Sequence, residues 1–146
     1  MKPFTAKEVL QLQKDSKVFV LDCRQPEEYI RKHIQGSIYV PIDAQFAIWT
    51  AFLVDPKRGE KIVLVTEPGK EVQAITRLAT TGLDCVIGYL DGGFASWAAA
   101  QLSTAAADVL KYDSAEDFED EVKGARIIDV RNLGEWNEGV LPQAEL

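Results

Sequence analysis

The chain has 146 residues, of which 47% are hydrophobic and 27% charged, and its formal net charge at pH 7 is −7. This length holds one ordinary domain and hardly two, and the composition is typical of a soluble globular protein. The acidic charge argues against nucleic-acid and anionic-membrane partners, and no apolar run approaches the roughly 18 residues that cross a bilayer. Because the first residues also lack an apolar signal core, we expect a cytoplasmic protein.

Potential metal ligands are few. The chain has two cysteines, Cys23 and Cys85, and a single histidine, His33. Structural metal sites usually need three or four Cys, His or carboxylate ligands at recognisable spacings. We therefore predict no metal and no other cofactor, and a disulfide is not expected in a reducing compartment.

Capping residues, turns and apolar periodicity predict alternating helices and strands. The Thr5–Glu8 capping box begins the first helix, and Pro26 begins the second. Further helices are predicted over residues 46–53 and 72–79 and after the glycine pair at 92–93, before an Ala-rich segment near 103–107. The predicted strands are short apolar runs: residues 18–21, 38–40, 62–65 and 85–89. This alternation predicts an α/β fold with a mainly parallel sheet covered by helices on both faces.

The pattern begins again after the Ala-rich segment. Residues 127–131 (IIDVR) match residues 20–24 (VLDCR) at an offset of 107, and residues 135–136 match 28–29 at the same offset. Residues 112–118 match 4–10 at an offset of 108. We interpret residues 1–103 as one domain, and 104–146 as a linker plus the first part of a second copy that is too short for its own α/β core.

Two stretches of the first unit resemble the signatures of rhodanese domains. Residues 21–29 (LDCRQPEEY) with 33–38 (HIQGSI) resemble the first signature, and residues 89–97 (YLDGGFASW) resemble the last. The resemblance implies a rhodanese-like three-layer fold in a sulfurtransferase family. The residues that we expect to form its framework are Asp22, Arg24, Glu28, His33, Gly36, Gly92, Gly93 and Trp97.

In rhodaneses the nucleophile is a cysteine in the loop after the central strand, where loop amides stabilise an anionic sulfur group. Aligning residues 62–65 with that strand places Thr66 at the cysteine position. The hydroxyl of Thr66 stays protonated near neutral pH, and Pro68 lacks an N–H. We call this segment the 66–72 loop; it consists of Thr66, Glu67, Pro68, Gly69, Lys70, Glu71 and Val72. Its two glutamates oppose bound anions and Lys70 offsets them only in part, so we predict no catalytic residue here.

Other candidate residues have simpler interpretations. Val130 occupies the position of Cys23 in the second copy, which favours a packing role for Cys23 over a reactive thiol. Cys85 opens an apolar strand, and for it the same interpretation holds. For His33 we predict a structural hydrogen bond rather than catalysis. Trp49 and Phe52 resemble a binding patch, but their helical spacing favours a face that packs on the core.

Two functions remain open. The first is a non-catalytic scaffold or interface module within a larger sulfur- or persulfide-handling protein. The chain also resembles the C-terminal part of fusions in which a metallo-β-lactamase-fold persulfide dioxygenase precedes rhodanese domains, although the iron-binding histidines are absent here. The second is a sulfurtransferase whose active cysteine lies in the second copy beyond Leu146, or is Cys23. A phosphatase or arsenate reductase of this fold would need the same missing cysteine.

The second copy also predicts an interaction. The apolar run at residues 127–130 is unfavourable when exposed, so we expect it to pack on the first unit or to pair with another chain. The expected partners are therefore other domains of a longer polypeptide, with a homo-oligomer through residues 108–146 as the alternative.

Overall fold

The computed structural model describes residues 1–43, 45–107, 118, 122–141 and 143–145. The chain forms two units, Met1–Asp108 and Val109–Leu146. In the repeat, the match at residues 112–118 lies outside the described residues except for Phe118.

The first unit alternates strands and helices as the sequence predicts. Its helices are α1 (Ala6–Leu12), α2 (Pro26–Arg31), α3 (Phe46–Leu53), α4 (Glu71–Ala79) and α5 (Gly93–Ala99), and a short 3-10 helix spans Pro56–Arg58. Its strands are β1 (Lys2–Phe4), β2 (Val18–Asp22), β3 (His33–Ile34), β4 (Ile38–Tyr39), β5 (Lys61–Val65), β6 (Val86–Leu90) and β7 (Thr104–Ala105).

The central sheet has five parallel strands in the order β1-β6-β5-β2-β4. The central strand β5 is an unbroken apolar run because both of its faces are buried. Ile62 and Leu64 belong to the core on one face of the sheet, whereas Val63 and Val65 belong to the core on the other. A strand with both faces buried reads as continuous hydrophobic sequence.

Helices cover both faces and give the three-layer arrangement. Phe46 of α3 and Leu78 of α4 pack in one core, and Val9 of α1 and Trp97 of α5 pack in the other. The predicted capping box of α1 is present, with the Thr5 hydroxyl accepting from the Glu8 amide and the Glu8 carboxylate accepting from the Thr5 amide. The α/β fold with a parallel sheet flanked by helices is confirmed.

The segment after α5 includes a strand. β7 pairs antiparallel with β3, with His33 opposite Ala105 and Ile34 opposite Thr104, and the Ala107 amide donates to the Ile30 carbonyl. Part of the predicted linker therefore pairs within the first unit. The division of the chain at residue 103 stays a prediction.

Helix α3 corrects one expectation. Its core-facing residues are Phe46 and Thr50, while Trp49 and Phe52 are 54% and 77% exposed. The prediction that Trp49 and Phe52 face the core is wrong. The helix is apolar on nearly every side, so its sequence periodicity did not identify the face that the sheet covers.

The second unit contains β8 (Ile127–Ile128), α6 (Leu133–Trp136) and β9 (Ala144–Glu145). β8 and β9 pair in parallel, with Ile127 opposite Ala144 and Ile128 opposite Glu145. At the offset of 107 this is the register of β2 and β4, in which Leu21 lies opposite Ile38. The predicted strand at 127–130 is thus β8, paired within its own unit. Its packing on the first unit or on another chain stays a prediction.

Candidate functional site

A cavity of about 220 Å³ opens at the carboxyl ends of β2, β5 and β6, the edge at which α/β sheets usually bind ligands. It lies between the two signature stretches and the 66–72 loop. The lining residues are Arg24, Glu28, Arg31, Lys32, Thr66, Glu67, Pro68, Gly92, Gly93, Phe94 and Ala95. The fold therefore brings together the two predicted motifs and the start of the predicted loop.

Arg24 forms one wall of this cavity and is held by a buried ion pair. Its Nε lies 2.9 Å and its Nη2 2.7 Å from the two carboxylate oxygens of Asp22, which is fully buried. The same Nη2 donates to the Lys32 carbonyl at 2.9 Å, and the guanidinium lies 4.2 Å from the centre of the Phe94 ring. These contacts fix Arg24 as part of the framework, because bidentate pairs constrain both partners.

Thr66 lies at the floor of the cavity and is almost fully buried. Its hydroxyl donates to the Glu67 carbonyl at 2.8 Å and so points back into its own loop. The loop satisfies further groups internally, since the Lys70 amide donates to the Glu67 carbonyl and the Gly69 amide donates to the Glu71 carboxylate at 3.3 Å. One amide of the loop is thus bonded to a carboxylate of the same loop.

The glycine pair allows the loop and α5 to approach closely. Gly92 and Gly93 both have positive φ, and a Cβ on Gly93 would lie 3.0 Å from the Thr66 carbonyl oxygen. A side chain at position 93 would require the Thr66 carbonyl to move by a few tenths of an ångström, and the positive φ of Gly93 would add backbone strain. The last signature therefore packs directly against Thr66, the residue that aligns with the cysteine of rhodaneses.

The charges around the cavity nearly cancel. Glu28 lies between two cations, 3.7 Å from Arg24 Nη1 and 3.5 Å from Arg31 Nη2. Glu67 adds a second carboxylate, and Asp22 already neutralises Arg24. The cavity therefore offers little net positive charge to an anionic sulfur donor.

Arg31 and Lys32 also line the cavity, although no sequence motif pointed to them. Arg31 follows Glu28 by three positions, which places it about one helical turn further along α2, and Lys32 follows directly after the end of that helix. That spacing is the signal that could have found them.

Cys23 directly precedes the cavity residue Arg24, but it is not among the residues that line the cavity. Its thiol is buried and donates to the Val65 carbonyl at 3.3 Å. Burial raises the pKa of Cys23 to about 12, and the carboxylates of Asp22 and Glu67 act in the same direction. Burial also raises the pKa of Cys85.

Three of the predicted framework residues lie away from the cavity. His33 is buried, stacks on Tyr29 at 3.9 Å between ring centroids, and places its Nδ1 2.7 Å from the Tyr29 carbonyl oxygen. Gly36 has a φ of +79° in the turn between β3 and β4. Trp97 is buried, and its indole N–H donates to the Ser103 carbonyl at 3.1 Å. None of the three residues lines the cavity.

The second unit repeats the contacts of Arg24. Arg131 Nε lies 3.0 Å and Nη2 2.6 Å from the oxygens of Asp129, and Nη2 also donates to the Gly139 carbonyl at 2.9 Å. Asp129, Arg131 and Gly139 stand at the positions of Asp22, Arg24 and Lys32 plus 107. Hydrogen bonds to the Arg131 side chain lower the pKa of Asp129.

Among the described residues, no group of three or more His, Cys, Asp or Glu side chains could hold a metal ion. No helix in the described part of the chain is long and apolar enough to cross a membrane.

Comparisons with known proteins identify relatives of the first unit. A model of the rhodanese-like domain matches residues 5–100, whereas no curated protein matches. The Alr3790 protein from Anabaena sp. is 22% identical, with a TM-score of 0.63, and the match covers 71% of this chain and 92% of that one. For BH2092 from Bacillus halodurans the identity is 19%, the TM-score 0.61 and the coverage 80% and 89%.

A third match extends over both units. SseA from Escherichia coli, described as a 3-mercaptopyruvate sulfotransferase with the rhodanese fold, is 19% identical with a TM-score of 0.57. This match covers 95% of the present chain and 71% of that protein. At these identities the structural matches show the fold, and the family model matches well over half of the chain. The chain belongs to the rhodanese-like domain family.

Proposed function

We propose that this chain is a catalytically inactive rhodanese-like module that serves as a scaffold or interface in a larger sulfur- or persulfide-handling protein. The observation that carries this function is the buried Thr66 at the floor of the cavity, with its hydroxyl donating to the Glu67 carbonyl. Sulfur transfer in this family needs a thiolate that becomes a persulfide. A threonine hydroxyl has neither the acidity nor the nucleophilicity for that step.

The surroundings of Thr66 support the same conclusion. An anionic donor such as thiosulfate needs free amides and positive charge at its sulfonate group. Here Pro68 has no N–H, the Gly69 amide is bonded to Glu71, and Glu28 and Glu67 line the cavity. Replacing the nucleophile alone would therefore leave a poor anion site.

Cys23 is a poor substitute for the catalytic cysteine that is absent at position 66. Its thiol is buried, and its pKa of about 12 leaves almost no thiolate near neutral pH. Its hydrogen bond to the Val65 carbonyl also holds the sulfur against β5.

Thiosulfate-to-cyanide sulfur transfer tests the proposed inactivity. The chain and its control Thr66→Ser should form no thiocyanate above the uncatalysed background. Thr66→Cys should remain poor because the carboxylates persist. Activity should increase when Thr66→Cys is combined with Glu67→Gln and Glu71→Gln, which remove two negative charges without adding bulk. Transfer by the unaltered chain, abolished by alkylating Cys23, would contradict the proposal.

The fusion and the compartment belong to the same proposal. The resemblance to the C-terminal part of metallo-β-lactamase-fold persulfide dioxygenase fusions supports partners that are domains of one longer polypeptide, with no cofactor in this chain and a cytoplasmic location. The full-length protein from the same locus tests this, because it should contain an upstream metallo-hydrolase domain. Its absence, together with the absence of a completed second repeat, would refute the fusion.

The alternative function is a sulfurtransferase whose active cysteine lies in the second repeat. One observation favours a true repeat, namely that Asp129, Arg131 and Gly139 reproduce the bonds of Asp22, Arg24 and Lys32. If this alternative holds, a longer polypeptide should transfer sulfur and lose that activity when a cysteine of its completed second repeat is changed to serine. The matched change Cys23→Ser should leave that activity intact.

A further inference from the structure

The cavity at the carboxyl ends of β2, β5 and β6 contains charges that the fold pairs and charges that it leaves open. Arg24 is bound to the buried Asp22 and also contacts Glu28. Within the described part of the chain, the side chains of Lys32 and Glu67 have no ion-pair partner. The lining therefore offers one open ammonium group and one open carboxylate.

The two open charges lie at different depths. Glu67 is half-buried, and its carboxylate adds to the effect of burial in raising the pKa of the buried Cys23. This carboxylate therefore belongs to the inner part of the cavity. Lys32 is exposed, and the side chain of its neighbour Arg31 is 77% exposed. The cavity is thus negative inside and positive at its mouth.

The rest of the lining limits the size and chemistry of a ligand. Pro68, Phe94 and Ala95 are apolar, and Gly92 and Gly93 present only backbone. The volume of about 220 Å³ is below the roughly 300–1,000 Å³ of pockets that hold drug-sized ligands. A ligand that fits here must therefore be small, and its uncharged part must be aliphatic.

The order of the charges selects the class of ligand. An anion pairs with Lys32 at the mouth but is repelled by Glu67 further in, and a cation meets the reverse arrangement. A zwitterion satisfies both ends, because its two opposite charges are held a short distance apart. We propose that the cavity binds a small zwitterion of the α-amino acid class, with its ammonium group at Glu67 and its carboxylate at Lys32 and Arg31.

The inference rests on the proposed function, because a cavity without a nucleophile is free to bind a ligand that it does not convert. Binding is measured separately from thiosulfate-to-cyanide transfer. An inactive chain that binds no zwitterion would refute the ligand and leave the proposed inactivity unaffected. A chain that transfers sulfur would refute the inactivity, whatever it binds.

Two-dimensional ¹H–¹⁵N NMR of the full chain near pH 7 tests the ligand with three matched probes. L-Alanine carries both charges, propionate lacks the ammonium group, and ethylamine lacks the carboxylate. L-Alanine should shift the amide signals of Glu67, Gly92 and Gly93 with a dissociation constant of about 1–10 mM, since a small ligand gains few contacts. Propionate and ethylamine should each bind at least about tenfold more weakly, because each loses one charged hydrogen bond.

Substitutions in the lining should change the preference among the probes. Glu67→Gln should weaken L-alanine binding at least about tenfold and strengthen propionate binding, because the opposing inner charge is gone. Lys32→Gln should weaken L-alanine binding by about threefold, since Lys32 is exposed and Arg31 remains at the mouth. Glu27→Gln and Lys7→Gln are matched controls that remove the same charges at exposed positions outside the lining. Both controls should bind L-alanine like the unaltered chain.

Three results would overturn the proposal. Equal binding of L-alanine and propionate by the unaltered chain would show that the ammonium group contributes nothing. Tighter binding of thiosulfate than of L-alanine would show that the cavity is an anion site. Unchanged amide signals of the lining residues in about 100 mM L-alanine would show that it binds no such zwitterion.

Discussion

Asp22 and Arg24 form the ion pair on which the cavity wall depends. Asp22 is fully buried, and the side chain of Arg24, itself nearly buried, donates to both of its carboxylate oxygens. Removing one partner of a buried pair leaves an uncompensated charge in a low-dielectric site. The same bonds recur at Asp129 and Arg131, but there Arg131 is well exposed to solvent.

This contrast predicts unequal effects of the same substitution. Arg24→Ala should lower the free energy of unfolding of the first unit by about 3–5 kcal/mol, since Asp22 stays buried without a partner. Arg131→Ala should leave the unfolding of the first unit unchanged, because the bonds of Arg131 lie within the second unit and are screened by water. Urea unfolding followed by circular dichroism measures both. Equal losses in the two variants would contradict the assignment of Arg24 to a buried framework.

The thiol of Cys23 gives a second prediction, based on its raised pKa. With a pKa of about 12 instead of the ordinary 9.0, its thiolate fraction at pH 8 should be about a thousandfold lower than that of a free thiol. Alkylation by iodoacetamide should therefore be very slow in the folded chain and accelerate about tenfold per pH unit between about pH 7 and about pH 9.

Peptide mass spectrometry can compare the two cysteines in one sample. Cys85 is only partly buried and should be alkylated faster than Cys23. In denaturant the two rates should converge, which is the control for intrinsic reactivity. Rapid labelling of Cys23 in the folded chain at neutral pH would show a reactive thiol and reopen the possibility that it transfers sulfur.

Strand β1 packs closely on β6 because Gly88 has no side chain. Gly88 of β6 lies opposite Lys2, and a Cβ at that position would lie 2.2 Å from the Lys2 carbonyl oxygen and 2.4 Å from the Phe4 ring. Gly88→Ala should therefore displace β1 and lower the free energy of unfolding by about 1–3 kcal/mol. Hydrogen exchange should show lost protection at residues 2–4.

Gly82→Ala is the matched control for that change. Gly82 has a φ of +78°, and a Cβ on this residue would meet no described atom within 4 Å, so alanine there introduces backbone strain without a clash. This variant should be less stable but should keep β1 protected. If Gly88→Ala also keeps full protection at residues 2–4, the close packing of β1 on β6 is wrong.

The sequence predicts well those elements whose formation depends on neighbouring residues or on a regular apolar pattern. The Thr5–Glu8 capping box and the apolar run of β5 depend on neighbouring residues and on burial of both sheet faces. Strands β1 and β7 were missed because each is too short to show a period, and each forms only by pairing with a strand distant in sequence. The face of α3 was assigned wrongly for a related reason, since only the tertiary structure selects which side is covered.

The candidate site also combines features that local sequence predicts with features that only the tertiary structure determines. Thr66 and the glycine pair could be placed from their motifs, because the order of strands in a parallel sheet brings their carboxyl ends to one edge. The Gly69–Glu71 bond and the position of Glu28 between two arginines depend on side-chain conformations. Sequence patterns alone do not determine such conformations, so the near-cancellation of charge in the cavity emerged only from the structure.

The two units differ in how much apolar surface they bury around the same local bonds. Leu21 and Cys23 are 0% and 1% exposed, whereas their counterparts Ile128 and Val130 are 58% and 92% exposed. In the first unit β2 lies between β4 and β5, while in the described part of the second unit β8 pairs with β9 alone. Since burying an aliphatic side chain contributes about 1.5–3 kcal/mol, the second unit lacks most of the stabilisation that holds the first.

This difference predicts that the second unit opens far more readily than the first. Peptides that contain residues 127–131 should exchange their amide hydrogens by local opening, at least about a hundredfold faster than peptides that contain residues 20–24. The Asp129 amide is a direct probe, because it donates to the Glu145 carbonyl at 2.7 Å where β8 pairs with β9. Equal protection of the two peptides would mean that Ile128 and Val130 are covered in solution. Protection that rises with protein concentration would then identify the cover as a second copy, and constant protection would identify it as part of the same chain.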